Sequence, residues 1–560
     1  MSGDGRRAVR VVLGVLLVVA ATAPVAAAPG GGDHATAAEA GGGAVTAGTE
    51  SAVDAGPAVA QRGATIQQRI VVDKNPDPGS ITMTFEYGLP SGVTDFVAEV
   101  PVVAADGVTV ESMDGFERVG GGSFRWDGAT ADPSVRVRFA VEDSLSSGVR
   151  GIERGDWAFV VEPNTNVRWR GSDGASLSTS FEVDGEGYAR SHMAFAGTHE
   201  RRTVEAADER ATFIIGREGT NVSDAVSFLR VANAHFDFGV HHDEVTVFVL
   251  PLSEREVDHV SGATIDTAFW VTQSGIQLDD TGTVFAHEYV HTRLGGVGNR
   301  GSTWLTEASA EYYGRVFALN AGVGADDYDA FLSGLRADRY APDRNPVVLA
   351  NPRTWSRTTA DYSKGAHVLA ALDAEIQRRT NGSKDLRDVF ETHPEPFDGY
   401  AAFRETVIDV SGDESLGPWL DRYVAGDDLP PLPENATYYV ADPSLDPDDD
   451  GLTIRAETDA GTNPFVADTD GDGVDDGSDV APLDASRGTP TPTATATATP
   501  TATATAAPTQ TMQDRESETG GGRGRESESG TEGSGSGFGF VAVVAAGLLA
   551  AATLGRRGRR

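Results

Sequence analysis

Two segments decide how the chain is read: Val284-Phe285-Ala286-His287-Glu288-Tyr289-Val290-His291 and, after fifteen intervening residues, Glu307 within Trp304-Leu305-Thr306-Glu307-Ala308-Ser309-Ala310-Glu311-Tyr312-Tyr313. On a helix, His287 and His291 are four apart and leave the same face, so both imidazoles can bind one ion. Neutral imidazole suits zinc, and Glu307 on a second helical segment can be the third ligand. Two histidines and one carboxylate leave a fourth position for water, the open arrangement that a hydrolytic metal needs. Glu288 would lean over that position as general base. Glu311, one turn beyond Glu307, would accept from the far N–H of a ligand imidazole. Gly295 and Gly296 then end the first helix.

Around these segments the chain alternates in character. From Ile66 to Gly197 there are short β-rich runs, such as Ile81 to Tyr87 and Val135 to Val141, cut by Gly, Pro and Asp turns. These predict a β-sandwich over 63–200. The period turns helical from Asp224 to Phe236; Glu244 to Leu250 and Ala268 to Thr272 read as buried strands. Thr283 to Val424 is mostly helical. The fold class is therefore multidomain: the sandwich, an α+β catalytic domain over 201–432 with a mainly helical C-terminal part, and smaller modules after it. His241, His242 and His367 stand alone and receive no role.

The catalytic segments resemble the gluzincin metallopeptidases, and in particular the aminopeptidase N and glycyl aminopeptidase families. Further likeness lies in Asp361-Tyr362-Ser363-Lys364-Gly365-Ala366-His367, Leu372 to Ile376, Asp385 to Phe390 and Asp421 to Gly426. The resemblance covers Asp224 to Leu432 and implies a thermolysin-like domain that hydrolyses peptides with zinc. It also implies that Tyr362 donates to the oxyanion of the tetrahedral intermediate, a suitable task for a phenol that is neutral near pH 7. Two departures stand out. The gap from His291 to Glu307 is shorter than is usual in aminopeptidase N relatives. The Gly-Ala-Met-Glu-Asn segment that binds a substrate's amine in that family has only an echo, without glutamate, at Gly262-Ala263-Thr264-Ile265-Asp266. Aminopeptidase and endopeptidase therefore both stay open, beside a zinc hydrolase of a non-peptide ester and a catalytically silent surface protein.

The formal charge of −39, from 84 acidic and 45 basic side chains, would repel nucleic acid. With lysine only at Lys74, Lys364 and Lys384, such a surface fits a halophile. No cysteine is present, which excludes disulfides and thiolate metal sites.

Beyond Pro430-Pro431 two acidic loops follow in register. Asp446, Asp448, Asp450 and Glu457 occupy positions 1, 3, 5 and 12 of the first, with Gly451 at 6; Asp468, Asp470, Asp472 and Asp479 occupy those of the second. Oxygens at this spacing wrap calcium, and the glycine makes the sharp turn. The loops, spanning 441–483, look like thrombospondin type 3 repeats.

The ends imply an address. Residues 1–28 read as a signal peptide and 29–62 as disordered, while the Thr/Pro and Gly/Ser/Glu tracts of 487–537 form a disordered stalk. Phe538 to Gly555 is apolar over about 27 Å as a helix, enough for a transmembrane segment. Four arginines follow and would stay cytoplasmic, leaving the catalytic domain at the cell surface. The tail also resembles an archaeal sorting signal, which implies a sorting enzyme as a partner besides the membrane and a peptide or protein substrate.

Overall fold

The computed structural model describes residues 65–487, apart from 76–78, 106, 142–150, 173–174, 237, 254–255, 258–260, 279–283, 325–327, 337–345, 357, 394 and 434. The signal peptide, the 29–62 segment, the stalk beyond Arg487 and the apolar tail lie outside these residues. Among the described residues no helix is long and apolar enough to cross a membrane. The chain divides into two compact units at the Asp442–Pro443 step.

In the first unit, residues 65–197 form three sheets where a plain sandwich would have two. The first has five strands in the order Ser176–Val183, Thr65–Lys74, Ser80–Gly88, Ser134–Ala140 and Val108–Asp114. The second pairs Asn166–Gly171, Val93–Glu99, Ser123–Trp126 and Phe116–Arg118. Ile81, Met83, Phe85 and Tyr87 recur at period two and meet Phe96 and Phe124 in a core between the sheets.

The third sheet, Gly187–Arg190, Met193–Gly197, Trp157–Val161 and Gly151–Glu153, explains the departure. Along Trp157-Ala158-Phe159-Val160-Val161 the two faces bury in different places. Ala158 and Val160 join the sandwich core, whereas Phe159, with Trp157 and Val161 beside it, joins a second core built with Phe248, Leu250 and Trp270. Met193 and Phe195 point to that second core, while Ala194 and Ala196 point to the first. Strands buried on both faces lose the polar alternation that marks a solvent-facing sheet, so they read as continuous apolar runs.

The second core backs on a five-stranded sheet, ordered Glu200–Ala206, Glu209–Ile215, Glu244–Leu250, Ala268–Thr272 and Gly262–Ile265. The middle three strands are parallel and the outer two run antiparallel to their neighbours. Parallel pairing needs a crossover, and helix α1 (Ser223–His235) supplies it between the second and third strands. The edge strand Gly262–Ile265 is absent from the pattern of the sequence, because four residues opening on glycine carry no clear period.

Helix α2 (Val284–Leu294) follows, then α3 (Trp304–Asn320), α4 (Tyr328–Leu335), α5 (Ala360–Thr380), α6 (Leu386–Thr392), α7 (Tyr400–Ser411) and α8 (Leu416–Tyr423). Phe285 seats α2 on the sheet, with ring centroids 5.4 Å from Phe269 and 6.3 Å from Phe213, and Phe228 of α1 closes on it at 5.7 Å. Small residues then bring the helices close. A side-chain carbon on Gly314 would stand 3.2 Å from the backbone of Ala286 and His287, and one on Gly365 would stand 2.5 Å from the Ala308 Cβ.

That last contact gives a prediction. Gly365→Ala should force α3 and α5 apart at the turn after Glu307 and cost about 1–3 kcal/mol, the usual price of overpacking. Thermal unfolding of the full chain should register the loss as a lower Tm; an unchanged or higher Tm would mean that the two helices are free to separate.

Candidate metal centre

Helix α2 presents Phe285 and Tyr289 to the sheet and to α1, which turns His287 and His291 toward α3. Their Nε2 atoms lie 3.0 Å apart. Glu307, in the first turn of α3, brings its Oε2 to 3.2 Å from His287 Nε2 and 3.4 Å from His291 Nε2. Donors held 2.0–2.1 Å from a tetrahedral zinc ion stand roughly 3.3 Å from one another. The three atoms are thus spaced as ligands of one such ion, and His287, His291 and Glu307 form a group able to hold a metal. Among the described residues no fourth His, Asp or Glu joins it.

The electrostatics make the same request. Burial opposes a charge on His287, but Glu307 and Glu311 outweigh it and push its pKa up to about 10. Burial likewise opposes ionisation of Glu307, and His291 and His287 nevertheless hold that carboxyl well below the usual carboxylate range. A buried site lined with carboxylates around two imidazoles can take a cation, and a metal ion can take the place of the protons.

Glu311 is brought in as its spacing predicts: its Oε2 lies 3.4 Å from His287 Nδ1. Tyr362, in the first turn of α5, stacks its ring on that of His287 at 5.4 Å between centroids and 15° between planes. Burial first, then the charge of Glu307, lifts the pKa of its hydroxyl far above the ordinary phenol value. Glu288 turns to the other side, toward the edge strand. Burial raises its pKa above the normal carboxylate value against the pull of His291 and His287.

Four contributors go unread in the sequence. The Thr264 hydroxyl lies 2.7 Å from Glu288 Oε2 and 2.9 Å from the Glu288 carbonyl oxygen, so its one proton serves either acceptor. A side-chain carbon on Gly262 would meet Glu288 Cγ at 2.8 Å, so only glycine lets the carboxylate lie so close to the strand. Ala263 and Ile265 face the opposite way, against the second core. Lys364 is fully buried and donates to the carbonyl oxygens of Val347 and Gly426 at 2.7 and 3.1 Å, tying two loops to α5 two residues beyond Tyr362. Arg315 donates to Glu311 Oε1 from Nη2 at 2.6 Å and from Nε at 2.9 Å. Its place one turn after Glu311 was a signal available in the sequence. His242 and His367 instead bond backbone oxygens, of Thr292 at 2.8 Å and Pro430 at 2.7 Å.

The second unit gathers its acidic residues into three groups: Asp446, Asp448 and Asp450; Asp468, Asp470 and Asp472; and Asp450, Glu457 and Asp476. Glu457 lies in the first turn of helix α9 (Ile454–Ala460). Asp476 reaches the first loop's carboxylates from the second loop, which the loop positions do not foretell, and Asp479 stands outside the three groups. Gly451 and Gly471 take φ of +94° and +77°, the turn that glycine allows. Five carboxylate oxygens, one each of Asp448, Glu457, Asp470, Asp472 and Asp479, are buried without a hydrogen-bond donor. Burial, then Asp450, pushes Asp448 up to about 7; burial, then Asp448, Asp450 and Asp476, pushes Glu457 up to about 8.

No family model matches the chain, and no curated protein matches it in sequence. Solved structures do superpose on it. A two-domain M1 zinc metallopeptidase mutant bound to L-tryptophan is 18% identical, with 67% of this chain and 97% of that one covered at a TM-score of 0.42. The M1 zinc metallopeptidase of Deinococcus radiodurans gives 17%, 67%, 97% and 0.42. Yeast LTA4 hydrolase in complex with bestatin gives 12%, 66%, 69% and 0.38. At such identities and scores the chemistry has to be argued from the site itself.

The full chain should bind one zinc ion at this centre, and Glu307→Ala should lose most of it. Elemental analysis after dialysis reads the outcome; full retention of zinc by the Glu307→Ala protein would remove Glu307 from the ligand set.

Proposed function

We propose that the chain hydrolyses peptide bonds with a zinc ion held by His287, His291 and Glu307. The observation that carries this reading is one buried site in which three donors at metal spacing lie between a carboxylate of raised pKa and a neutral phenol. Zinc, when bound there, supplies a Lewis acid for water and for the substrate carbonyl. Glu288 takes a proton from the attacking water and delivers it to the leaving amine, and its raised pKa brings it nearer the operating pH for both steps. Thr264 and Gly262 fix which way that carboxylate faces. Tyr362 donates a hydrogen bond from its hydroxyl to the oxyanion that forms at the attacked carbonyl. Glu311 accepts from His287 Nδ1–H and sets the tautomer that leaves Nε2 free as a ligand.

The site speaks for peptide hydrolysis in general and for neither end of the substrate. The position where the aminopeptidase N pattern carries its amine-binding glutamate is Ile265, whose side chain packs into the core. The terminal segments would place this activity at the cell surface, exported by the signal peptide and tethered by the C-terminal helix.

The test separates base from oxyanion donor. Glu288→Gln keeps shape and zinc but should slow peptide cleavage by at least roughly 10²- to 10⁴-fold. Tyr362→Phe should cost about 3 kcal/mol in the transition state, about a hundredfold in kcat, with KM little changed. Unimpaired cleavage by Glu288→Gln, or no cleavage of a peptide library by the zinc-loaded parent, would sink the proposal.

We further propose that Asp446 to Asp479 binds calcium, at the millimolar affinity of extracellular modules. The buried, donor-less carboxylate oxygens support this reading. In the fold Glu457 keeps its proton up to about pH 8 against an ordinary 4.5, so the folded segment binds more protons than the unfolded one across that window. Without calcium its stability should be fully present below the window and decline as pH rises through it. Hydrogen exchange of 446–479 in the full chain with a chelator should therefore quicken from pH 5 to 9, after correction for the intrinsic rate, and calcium should restore protection. Exchange indifferent to calcium would refute the reading.

A further inference from the structure

Glu307, Glu311 and Arg315 stand at intervals of four along α3, so they share one face of the helix. The face reads outward from the metal group as a series: ligand carboxylate, second carboxylate, guanidinium. Arg315 gives both of its bonds to Glu311 Oε1, and Glu311 turns Oε2 to His287 Nδ1. One oxygen is thus held by Arg315 while the other is left for the imidazole. The pair is shielded, with side-chain exposures of 16% for Arg315 and 19% for Glu311.

A second element adapts to this arrangement. Gly334 on α4 lies against the guanidinium, and a side-chain carbon there would stand 2.3 Å from Arg315 Nη1 and 3.0 Å from its Cζ. Gly334 has none of the left-handed backbone that would call for glycine. In a helix, glycine is less favourable than alanine, so α4 gives up helix propensity at the position where Arg315 needs room.

We propose that Arg315 is a positioning residue of the metal centre: it fixes the Glu311 carboxylate so that one oxygen is aimed at His287, and Gly334 provides the space in which it does so. The inference rests on zinc binding by His287, His291 and Glu307. Arg315 touches neither metal nor substrate; it acts through Glu311. An outer partner of this kind typically changes metal affinity 10- to 100-fold when removed.

The experiment measures zinc affinity by chelator competition on the full chain, with the Tm of the metal-free form beside it. Arg315→Met should weaken zinc at least about tenfold, the loss expected of such a partner, and Arg315→Lys, which restores charge without the two-donor geometry, should recover part of it. Gly334→Ala keeps every charge and improves helix propensity, yet should weaken zinc severalfold while leaving the metal-free Tm unchanged or raised. In a Glu311→Gln background, Arg315→Met should cost little more. Retained affinity in Gly334→Ala and in Arg315→Met, or an Arg315→Met loss undiminished in the Glu311→Gln background, would overturn the inference with the zinc reading intact. A parent chain that binds no zinc would overturn both.

Discussion

An excess of buried negative charge around two imidazoles governs the first unit. Glu288, Glu307 and Glu311 all sit in poorly solvated surroundings within one site, and each is penalised by burial. Isolated carboxylates in such a place would take up protons or let in water. Here they are answered by His287, His291 and Arg315, and a divalent cation would answer them more fully. The close helix contacts follow from that need. Glu307 can reach both imidazoles because Gly314 lets α3 touch the α2 backbone, and Tyr362 can lie on His287 because Gly365 lets α5 touch α3.

The same logic recurs in the second unit with another donor set. Its carboxylates are gathered by loop geometry, with backbone N–H groups of Gly451, Leu452, Gly471 and Gly473 already bonded to Asp446, Asp450 and Asp468. These bonds use part of the oxygen capacity and leave inward-facing oxygens without donors. One donor set includes imidazole; the other is hard oxygen alone.

Much of this was legible in the sequence wherever the signal was local. The interval of four between His287 and His291 places both on one helix face, and the structure has that helix and that face. The runs Glu244 to Leu250 and Ala268 to Thr272 are strands with the bounds their apolar pattern gives. The loop positions of Asp446, Asp448 and Asp450 come together as their spacing requires. What stayed hidden depends on contacts between distant segments. Thr264 meets Glu288 across 24 positions, and nothing in a short strand announces it. Lys364 reads as one more surface cation until its loops close over it. Asp476 belongs to the second loop and lies with Asp450 and Glu457 of the first.

The third sheet of the N-terminal region has a consequence for how such a chain could have been assembled. Its strands bury Ala158 and Val160 toward one core and Phe159 and Phe195 toward the next. Cutting the chain near His199 would leave one fragment with a bare aromatic face and the other with Phe248 and Trp270 uncovered. Neither piece could be inherited, duplicated or shuffled alone without acquiring a new partner for that face. The unit that can stand alone is therefore the β-rich region and the region of the metal ligands together, even though the composition of the sequence invites a boundary between them.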